Sequence, residues 1–180
     1  MLIVTGMPGS GKDEFIKVAK KMGWKDYHMG DIVRKYASMG NIGISDNEIG
    51  SFANRERELH GKDIWAVRLS EFIKDGRKII IDGLRNMEEF EYFRSKFPDL
   101  VLIGIHTDRE ERLKRVQKRG RPDDAKVLGQ LINRDDRELS WGIGNAISLA
   151  EYMIVNDSTL EKFKENAAKL LSRIEKERFS

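Results

Sequence analysis

Short apolar runs alternate along the chain with longer stretches in which apolar residues recur every three or four positions. The short runs predict parallel strands covered on both faces, and the longer stretches predict helices that pack on them. The predicted strands are the run beginning at Leu2, then Trp24–Met29, Lys78–Asp82, Leu100–Thr107 and Tyr152–Asn156. The predicted helices are Asp13–Met22, Asp31–Met39, a helical pair within Asp46–Asp75, Met87–Lys96, Arg109–Lys118, Ala125–Glu138 and Thr159–Arg178. This alternation predicts an α/β fold with a doubly wound, parallel, five-stranded sheet.

Two stretches are longer than the crossovers of such a sheet require. Residues 41–76 carry the helical pair, broken at His60-Gly61, and residues 112–137 are highly charged and interrupted by Gly120-Arg121-Pro122. Insertions at the carboxyl ends of strands are where substrate clamps and lids usually lie. Because no linker or repeat divides the chain, we predict one domain over residues 1–180, with a substrate-binding insert at about 41–76 and a lid at about 112–137.

Composition narrows the class of protein. Charged residues make up 35% and hydrophobic residues 39% of the 180 residues, a balance typical of globular proteins. The absence of cysteine excludes disulfides and thiolate metal sites. No apolar run approaches the ~20 residues that span a membrane, and Met1 leads directly into the first strand. We therefore expect a cytoplasmic protein without a membrane partner, and a net charge of +3 is too small by itself to indicate nucleic acid.

A glycine-rich loop follows the first predicted strand. Gly6, Gly9 and Gly11 can adopt backbone angles that turn successive N–H groups toward an anion. Lys12 adds a mobile positive charge for β- and γ-phosphates at the start of a helix. The segment fits G-x-x-x-x-G-K-[ST] except at Asp13, which replaces the hydroxyl that normally holds Mg²⁺. The strand, the spacing and the lysine together favour a phosphate loop over a turn with incidental glycines. The predicted phosphate-binding residues are Gly6, Met7, Pro8, Gly9, Ser10, Gly11, Lys12 and Asp13.

Acidic residues follow two further predicted strands. Asp31 lies where either a helix N-cap or a catalytic base could stand, and Arg34, one turn further on, could reach a bound phosphate. Asp82 comes directly after Ile79–Ile81, so it should face the crevice at the sheet edge, where P-loop proteins commonly hold Mg²⁺. A helix cap is the alternative for Asp82. Its neighbour Arg85 favours the functional interpretation.

A cluster of arginines spans the predicted lid. Its members are Arg112, Arg115, Arg119, Arg121, Arg134 and Arg137. The first three share one helix face, which a solvated charged helix would explain. Because Gly120 breaks that helix just before Arg121, a lid that folds guanidiniums onto phosphates is the competing interpretation. No aromatic residue lies among these cations, so nucleic acid is possible but not favoured as a partner.

Two remaining features are less informative. Asn156, at the end of the last predicted strand, could contact a purine edge or cap the final helix. His28, His60 and His106 lack the spacing of metal ligands, and we interpret each as part of the local structure.

In this order the motifs resemble those of the nucleoside monophosphate kinase group of P-loop proteins. Gly30-Asp31-x-x-Arg34 resembles the acceptor-site motif of adenylate kinase, and Asp82-Gly83-Leu84-Arg85 is similar to its Asp-Gly-x-Pro-Arg motif without the proline. Arg119–Asp124 resembles its lid, and Ala150–Asp157 resembles the closing strand of dephospho-coenzyme A kinase and guanylate kinase. With Glu138–Asn145 included, the chain most resembles an archaeal family of adenylate-kinase-like proteins.

The resemblance implies transfer of the γ-phosphoryl group of ATP, with Mg²⁺, to a nucleoside monophosphate bound at the insert. It implies the following roles: the loop with Lys12 holds the ATP phosphates, Asp82 holds Mg²⁺, Arg34 and Arg85 grip the acceptor phosphate, and Arg115, Arg119, Arg121 and Arg134 or Arg137 stabilise the transition state. The residues themselves add two candidates: the carboxylate of Asp13 can also ligate Mg²⁺, and Asn156 can contact the nucleotide. In the alternative of a dephospho-coenzyme A-type kinase the acceptor is a hydroxyl and Asp31 is the general base. Because Asp13 departs from the pattern, a nucleotide-binding sensor or ATPase-like factor without kinase turnover is the second alternative.

Overall fold

A computed structural model of the protein describes residues 1–43, 45–74, 76, 78–117 and 124–179. The strands are β1 (Leu2–Thr5), β2 (Lys25–His28), β3 (Ile79–Asp82), β4 (Val101–His106) and β5 (Tyr152–Val155). They form a parallel sheet in the order β2-β3-β1-β4-β5. The predicted α/β fold with five parallel strands is thereby confirmed.

The helices lie between and after the strands. They are α1 (Lys12–Lys21), α2 (Met29–Met39), α3 (Asp46–His60), α4 (Ile64–Ser70), α5 (Met87–Lys96), α6 (Arg109–Gln117), α7 (Asp124–Trp141), α8 (Ile143–Ser148) and α9 (Leu160–Arg178). The predicted break at His60-Gly61 is confirmed, since Gly61 ends α3 with a φ of +105°. Helix α7 continues three residues past its predicted end at Glu138, and α8 was not predicted. Six residues are too few to show a helical period, although Ile143 and Ala146 are buried.

The core lies on both faces of the sheet, as the apolar strands require. Side chains alternate along β1, so Ile3 joins one cluster whereas Leu2 and Val4 join the other. Trp65 and other side chains of α2–α5 and α8 cover the first face. Side chains of α1 and α9, among them Phe163, cover the second. Burial of each large side chain contributes about 1.5–3 kcal/mol, which fixes the strand positions firmly.

Strand register brings the predicted site residues to one edge. In the parallel sheet His28 pairs with Asp82, and Asp82 pairs with Val4, one residue before β1 ends at Thr5. The ends of β1, β2 and β3 therefore meet where the glycine-rich loop begins. Within the described ranges, none of the helices combines the length and apolar character needed to cross a membrane.

Candidate functional site

The glycine-rich loop connects β1 to α1 in a conformation that requires glycine. Gly9 and Gly11 have φ angles of +79° and +106°, a region that other residues rarely adopt. A Cβ on Gly6 would lie 2.5 Å from the carbonyl oxygen of Ile105 in β4. The loop therefore closes tightly against the sheet, and its residues Pro8, Gly9 and Gly11 line the cleft at this edge.

Side chains from the ends of β4 and β5 hold the loop in place. The Asn156 side-chain amide donates to the Ser10 carbonyl oxygen at 2.9 Å, and the Thr107 hydroxyl donates to the same oxygen at 3.0 Å. Arg115 donates in turn to the Asn156 carbonyl oxygen at 2.7 Å. The alternative that Asn156 caps the last helix is wrong, because Thr159 caps α9. Asn156 braces the phosphate loop and also lines the cleft.

Lys12 is buried beneath the loop. Its Nζ donates to the carbonyl oxygens of Gly6 at 2.7 Å and Met7 at 3.2 Å, and its residue is only 8% exposed. Burial, with a further contribution from the nearby charge of Arg85, lowers the pKa of Lys12 to about 8. Lys12 is thus held by the loop in this structure, whereas the sequence suggested a mobile cation. Asp13, the next residue, is exposed at the mouth of the cleft.

Asp82 ends β3 and faces His28. His28 Nδ1 lies 3.3 Å from Asp82 Oδ2, and its Nε2 lies 2.9 Å from Asp26 Oδ2. The hydrogen bond to Asp82, together with that to Asp26, raises the pKa of His28 to about 9, so the imidazole is charged at neutral pH. Burial alone would raise the pKa of Asp82, but the His28 hydrogen bond and the charges of Lys12 and Arg85 outweigh it and lower that pKa.

The remaining oxygen of Asp82 is chemically available. Oδ1 is buried and has no hydrogen-bond partner among the described residues. The alternative that Asp82 caps a helix is wrong, since Asn86 caps α5 by accepting from the Glu89 N–H at 2.7 Å. His28 contributes more than local structure, because it holds one oxygen of Asp82 and leaves the other free.

Asp31 and Arg34 form a pair at the mouth of the cleft. Asp31 Oδ1 accepts from Arg34 Nη2 at 2.6 Å, and each side chain is 63% exposed. The alternative that Asp31 caps α2 is wrong, because the helix begins two residues earlier, at Met29. The buried side chain of Met29 anchors this first turn against the core. The Asp31 carboxylate is therefore not engaged in a helix cap, and its described partner at the cleft is Arg34.

Glu138 gathers two predicted arginines at the cleft wall. Its carboxylate lies 3.0 Å from the Nε of Arg85 and 3.0 Å from the Nε of Arg134, and its side chain is 2% exposed. The Arg85 main-chain N–H donates to Glu89 at 2.8 Å, which fixes the loop after β3. Glu138 was not among the predicted site residues. The spacing of Arg134 and Glu138, four residues apart on one helix, was the available signal.

Arg112 has a structural role that the sequence did not reveal. It forms a two-point ion pair with Asp135 of α7, at 2.9 and 2.7 Å, and also donates to the Pro8 carbonyl oxygen at 2.9 Å. Both side chains are almost fully buried. The interpretation of a solvated helix face is therefore wrong for Arg112, whose pairing links α6 and α7 to the phosphate loop. Arg119 and Arg121 lie outside the described residues.

Two adjoining cavities occupy this edge of the sheet. The larger cleft, about 880 Å³, is lined by the phosphate loop, Lys12, Asp82 and Arg115. The smaller cavity, about 110 Å³, lies among α2, α3 and α7 and is lined by Arg137, Trp141 and apolar side chains. The residues that line both are Gly30, Arg34, Gly83, Arg85 and Arg134. Two ligands bound in these cavities would therefore be in direct proximity.

Fold and loop define the class of the protein as a P-loop nucleotide-binding domain that resembles small-molecule kinases. A family profile described as an AAA domain matches residues 2–140. Among solved structures, shikimate kinase from Bacteroides thetaiotaomicron is similar with a TM-score of 0.58 and 14% identity, covering 97% of each chain. A gluconokinase from Sinorhizobium meliloti has a TM-score of 0.52 and 16% identity, covering 96% of this chain and 91% of the other. At these identities the likeness concerns the fold.

The chain belongs to the UPF0200 family of archaeal proteins. It is 52% identical to UPF0200 protein Ta0179 of Thermoplasma acidophilum, over 96% of this chain and 95% of that protein. It is 54% identical to UPF0200 protein TV0279 of Thermoplasma volcanium, over 95% of this chain and 96% of that protein. It is 41% identical to UPF0200 protein Mbar_A0975 of Methanosarcina barkeri, over 96% of this chain and 94% of that protein. The expected resemblance to an archaeal adenylate-kinase-like family is thereby confirmed.

Proposed function

We propose that the protein is a kinase that transfers the γ-phosphoryl group of ATP to a nucleoside monophosphate. The observation that carries this proposal is the shared wall of the two cavities. One cavity contains the phosphate loop and the other is rimmed by arginines, and Arg34, Arg85 and Arg134 belong to both. A donor phosphate and an acceptor phosphate could thus approach each other between guanidiniums, as phosphoryl transfer requires.

On the donor side, the loop N–H groups and Lys12 would bind the β- and γ-phosphates. The Lys12 Nζ would exchange the carbonyl oxygens of Gly6 and Met7 for phosphate oxygens. The free, buried Oδ1 of Asp82 fits Mg²⁺, which prefers oxygen ligands and is usually held by one or two carboxylates together with phosphates. Asp13 would supply the second carboxylate. When bound, Mg²⁺ would neutralise charge on the phosphates.

On the acceptor side, Arg34 and Arg85 would grip the acceptor phosphate. Arg115, Arg134 and Arg137 would add positive charge around the transferring group, and we assign the same role to Arg119 and Arg121 on the sequence alone. The insert at about 41–76 would then hold the acceptor, and the lid at about 112–137 would close over the phosphates within a single domain of 180 residues. Such positioning and charge neutralisation are the main requirements of phosphoryl transfer.

A hydroxyl-bearing acceptor is the second candidate, favoured by the exposure of Asp31 in the cleft. An ionised phosphate oxygen attacks without losing a proton, whereas a hydroxyl needs a base. Asp31 could accept that proton if the acceptor displaced Arg34 from it.

Measurement of ADP release with a panel of acceptors tests the proposal. We expect turnover with ATP, Mg²⁺ and at least one nucleoside monophosphate, and Asp31→Asn should largely preserve it. A loss of about 10²–10⁴ in that folded variant, or turnover with dephospho-coenzyme A alone, would favour the hydroxyl acceptor. ATP binding without ADP release on any acceptor would indicate a nucleotide-binding factor and contradict the proposal.

A further inference from the structure

Asp46 places a carboxylate of the protein itself among the arginines of the smaller cavity. It is the first residue of α3, and its Oδ2 accepts from Arg137 Nη2 at 2.5 Å. Its Oδ1 lies 3.6 Å from Arg134 Nη1. We propose that Asp46 is an internal substitute for the anionic group of the acceptor, which must displace it in order to bind. This inference rests on the proposed function, in which the smaller cavity receives the acceptor.

The Arg137 guanidinium packs closely against α3. It lies 5.7 Å from the centre of the Trp141 ring and crosses α3 at Gly50. A Cβ on Gly50 would lie 2.5 Å from the guanidinium carbon of Arg137. Gly50 is four residues after Asp46, so both are on the same face of α3. Because Gly50 has no side chain, the Arg137 guanidinium has room to reach the Asp46 carboxylate.

The cavity also contains guanidinium N–H groups that Asp46 does not satisfy. Arg57 is 8% exposed and donates from Nη2 to Glu89 at 2.9 Å, yet its Nε and Nη1 have no hydrogen-bond partner among the described residues. The same is true of Arg137 Nε. Buried donors without acceptors are costly, and they favour a ligand that brings several oxygens. A phosphate monoester, with three terminal oxygens, can contact more of these donors than one carboxylate.

The charge and the size of the cavity indicate what displacement would achieve. Among the described residues that line it, five are arginines and two, Asp46 and Glu138, carry carboxylates. Removal of Asp46 from this set leaves a strong excess of positive charge for a phosphate dianion. The volume of about 110 Å³ is far below the ~300 Å³ or more of typical ligand pockets. Entry of a whole nucleotide therefore requires the first turn of α3 to move outward, and displacement of Asp46 would release that turn.

The test compares Asp46→Asn with the matched control Glu88→Gln. Asn keeps the size of the side chain, and Ser45 and Glu48 still form the capping box of α3, so the fold should be retained. Glu88 lies in the first turn of α5, is 48% exposed against 50% for Asp46, and pairs with Lys62 at 3.0 Å outside both cavities. The probes are AMP and inorganic phosphate, measured by calorimetry.

We expect Asp46→Asn to bind both probes about two- to fivefold more tightly, as loss of a competing, half-exposed ion pair predicts. Glu88→Gln should match the wild type. On addition of AMP to the wild type, the amide protons of residues 47–50 should exchange faster. If the wild type binds AMP and Asp46→Asn binds it equally or more weakly, this inference is overturned and the proposed function is not. If neither protein binds phosphate, AMP or any other nucleoside monophosphate of the acceptor panel while both bind ATP, the proposed acceptor fails, and this inference fails with it.

Discussion

The buried pair of Arg112 and Asp135 offers a test of how the phosphate loop is held. Arg112 serves two partners, the Asp135 carboxylate in α7 and the Pro8 carbonyl oxygen in the loop. Arg112→Met leaves the Asp135 charge buried and unpaired, and the Pro8 oxygen loses its donor. The double variant Arg112→Met with Asp135→Leu removes both charges but still deprives Pro8 of its donor. The two effects of Arg112, on stability and on loop geometry, can therefore be separated.

The expected magnitudes follow from burial. The side chains are 5% and 6% exposed, so breaking the pair from one side should lower the free energy of unfolding by about 3–5 kcal/mol. For a chain of this size that corresponds to a fall of about 6–20 °C in the melting temperature. The double variant should recover to within about 1–2 kcal/mol of the wild type. Its ATP affinity should nevertheless be about two- to tenfold weaker, the loss expected for one hydrogen bond to the loop.

Urea denaturation measures the first effect and calorimetry with ATP and Mg²⁺ the second. Arg173→Met is the matched control, because Arg173 pairs with Glu177 at 2.7 Å but is 66% exposed, and its loss should barely change the unfolding midpoint. A double variant as unstable as Arg112→Met would refute the assignment of the instability to an unpaired Asp135. Wild-type ATP affinity in the double variant would show that Pro8 needs no donor to keep the loop in shape.

Three further variants test other parts of the site. Lys12→Ala should abolish ATP binding in calorimetry while the protein stays folded, because among the described residues Nζ donates to loop carbonyls alone; wild-type affinity would contradict the proposed ATP site. The pKa of His28 is raised from 6.5 to about 9 by its pairing with carboxylates that include Asp82, so its contribution to stability is complete below pH 6.5 and disappears as the pH rises through about 9. In His28→Gln, the free energy of unfolding measured with urea should therefore fall less between pH 6.5 and 9 than in the wild type. If the two proteins show the same pH dependence, His28 is not its source. Gly50→Ala should displace the flexible Arg137 and weaken AMP binding several-fold, without lowering stability because alanine favours helix by about 1 kcal/mol; unchanged AMP binding would argue against Arg137 as a ligand.

The fold and the phosphate loop could be predicted from sequence because their signals are local. Leu2–Val4 and Ile79–Ile81 are continuous apolar runs, and the glycines of the phosphate loop lie within the short segment that ends at Lys12. Once parallel strands are assumed, Asp82 must lie at the same edge as that loop. The structure adds that His28 is the neighbour of Asp82, which follows only from the pairing of β2 with β3.

The charge pairings of Arg112 and Arg137 could not be predicted, because they join residues distant in sequence. Arg112 is 23 residues from Asp135, and Arg137 is 91 residues from Asp46. Helical spacing places Arg112 on the same face as Arg115, but it does not distinguish a guanidinium that binds ligand from one that is buried against a carboxylate. That distinction depends on how α6 and α7 pack, which no local pattern encodes.

Burial separates the carboxylates that hold the site's arginines into two kinds. Glu138 is 2% exposed, so separating it from Arg85 and Arg134 would leave buried charges unpaired, and it should hold both arginines in place whether or not ligand is bound. Asp31 and Asp46 are 63% and 50% exposed, and ion pairs at such positions are weak. In the proposed function a phosphate would therefore replace them at little cost. Glu138 would keep Arg85 and Arg134 in place, while Arg34 and Arg137 would exchange a carboxylate for the ligand.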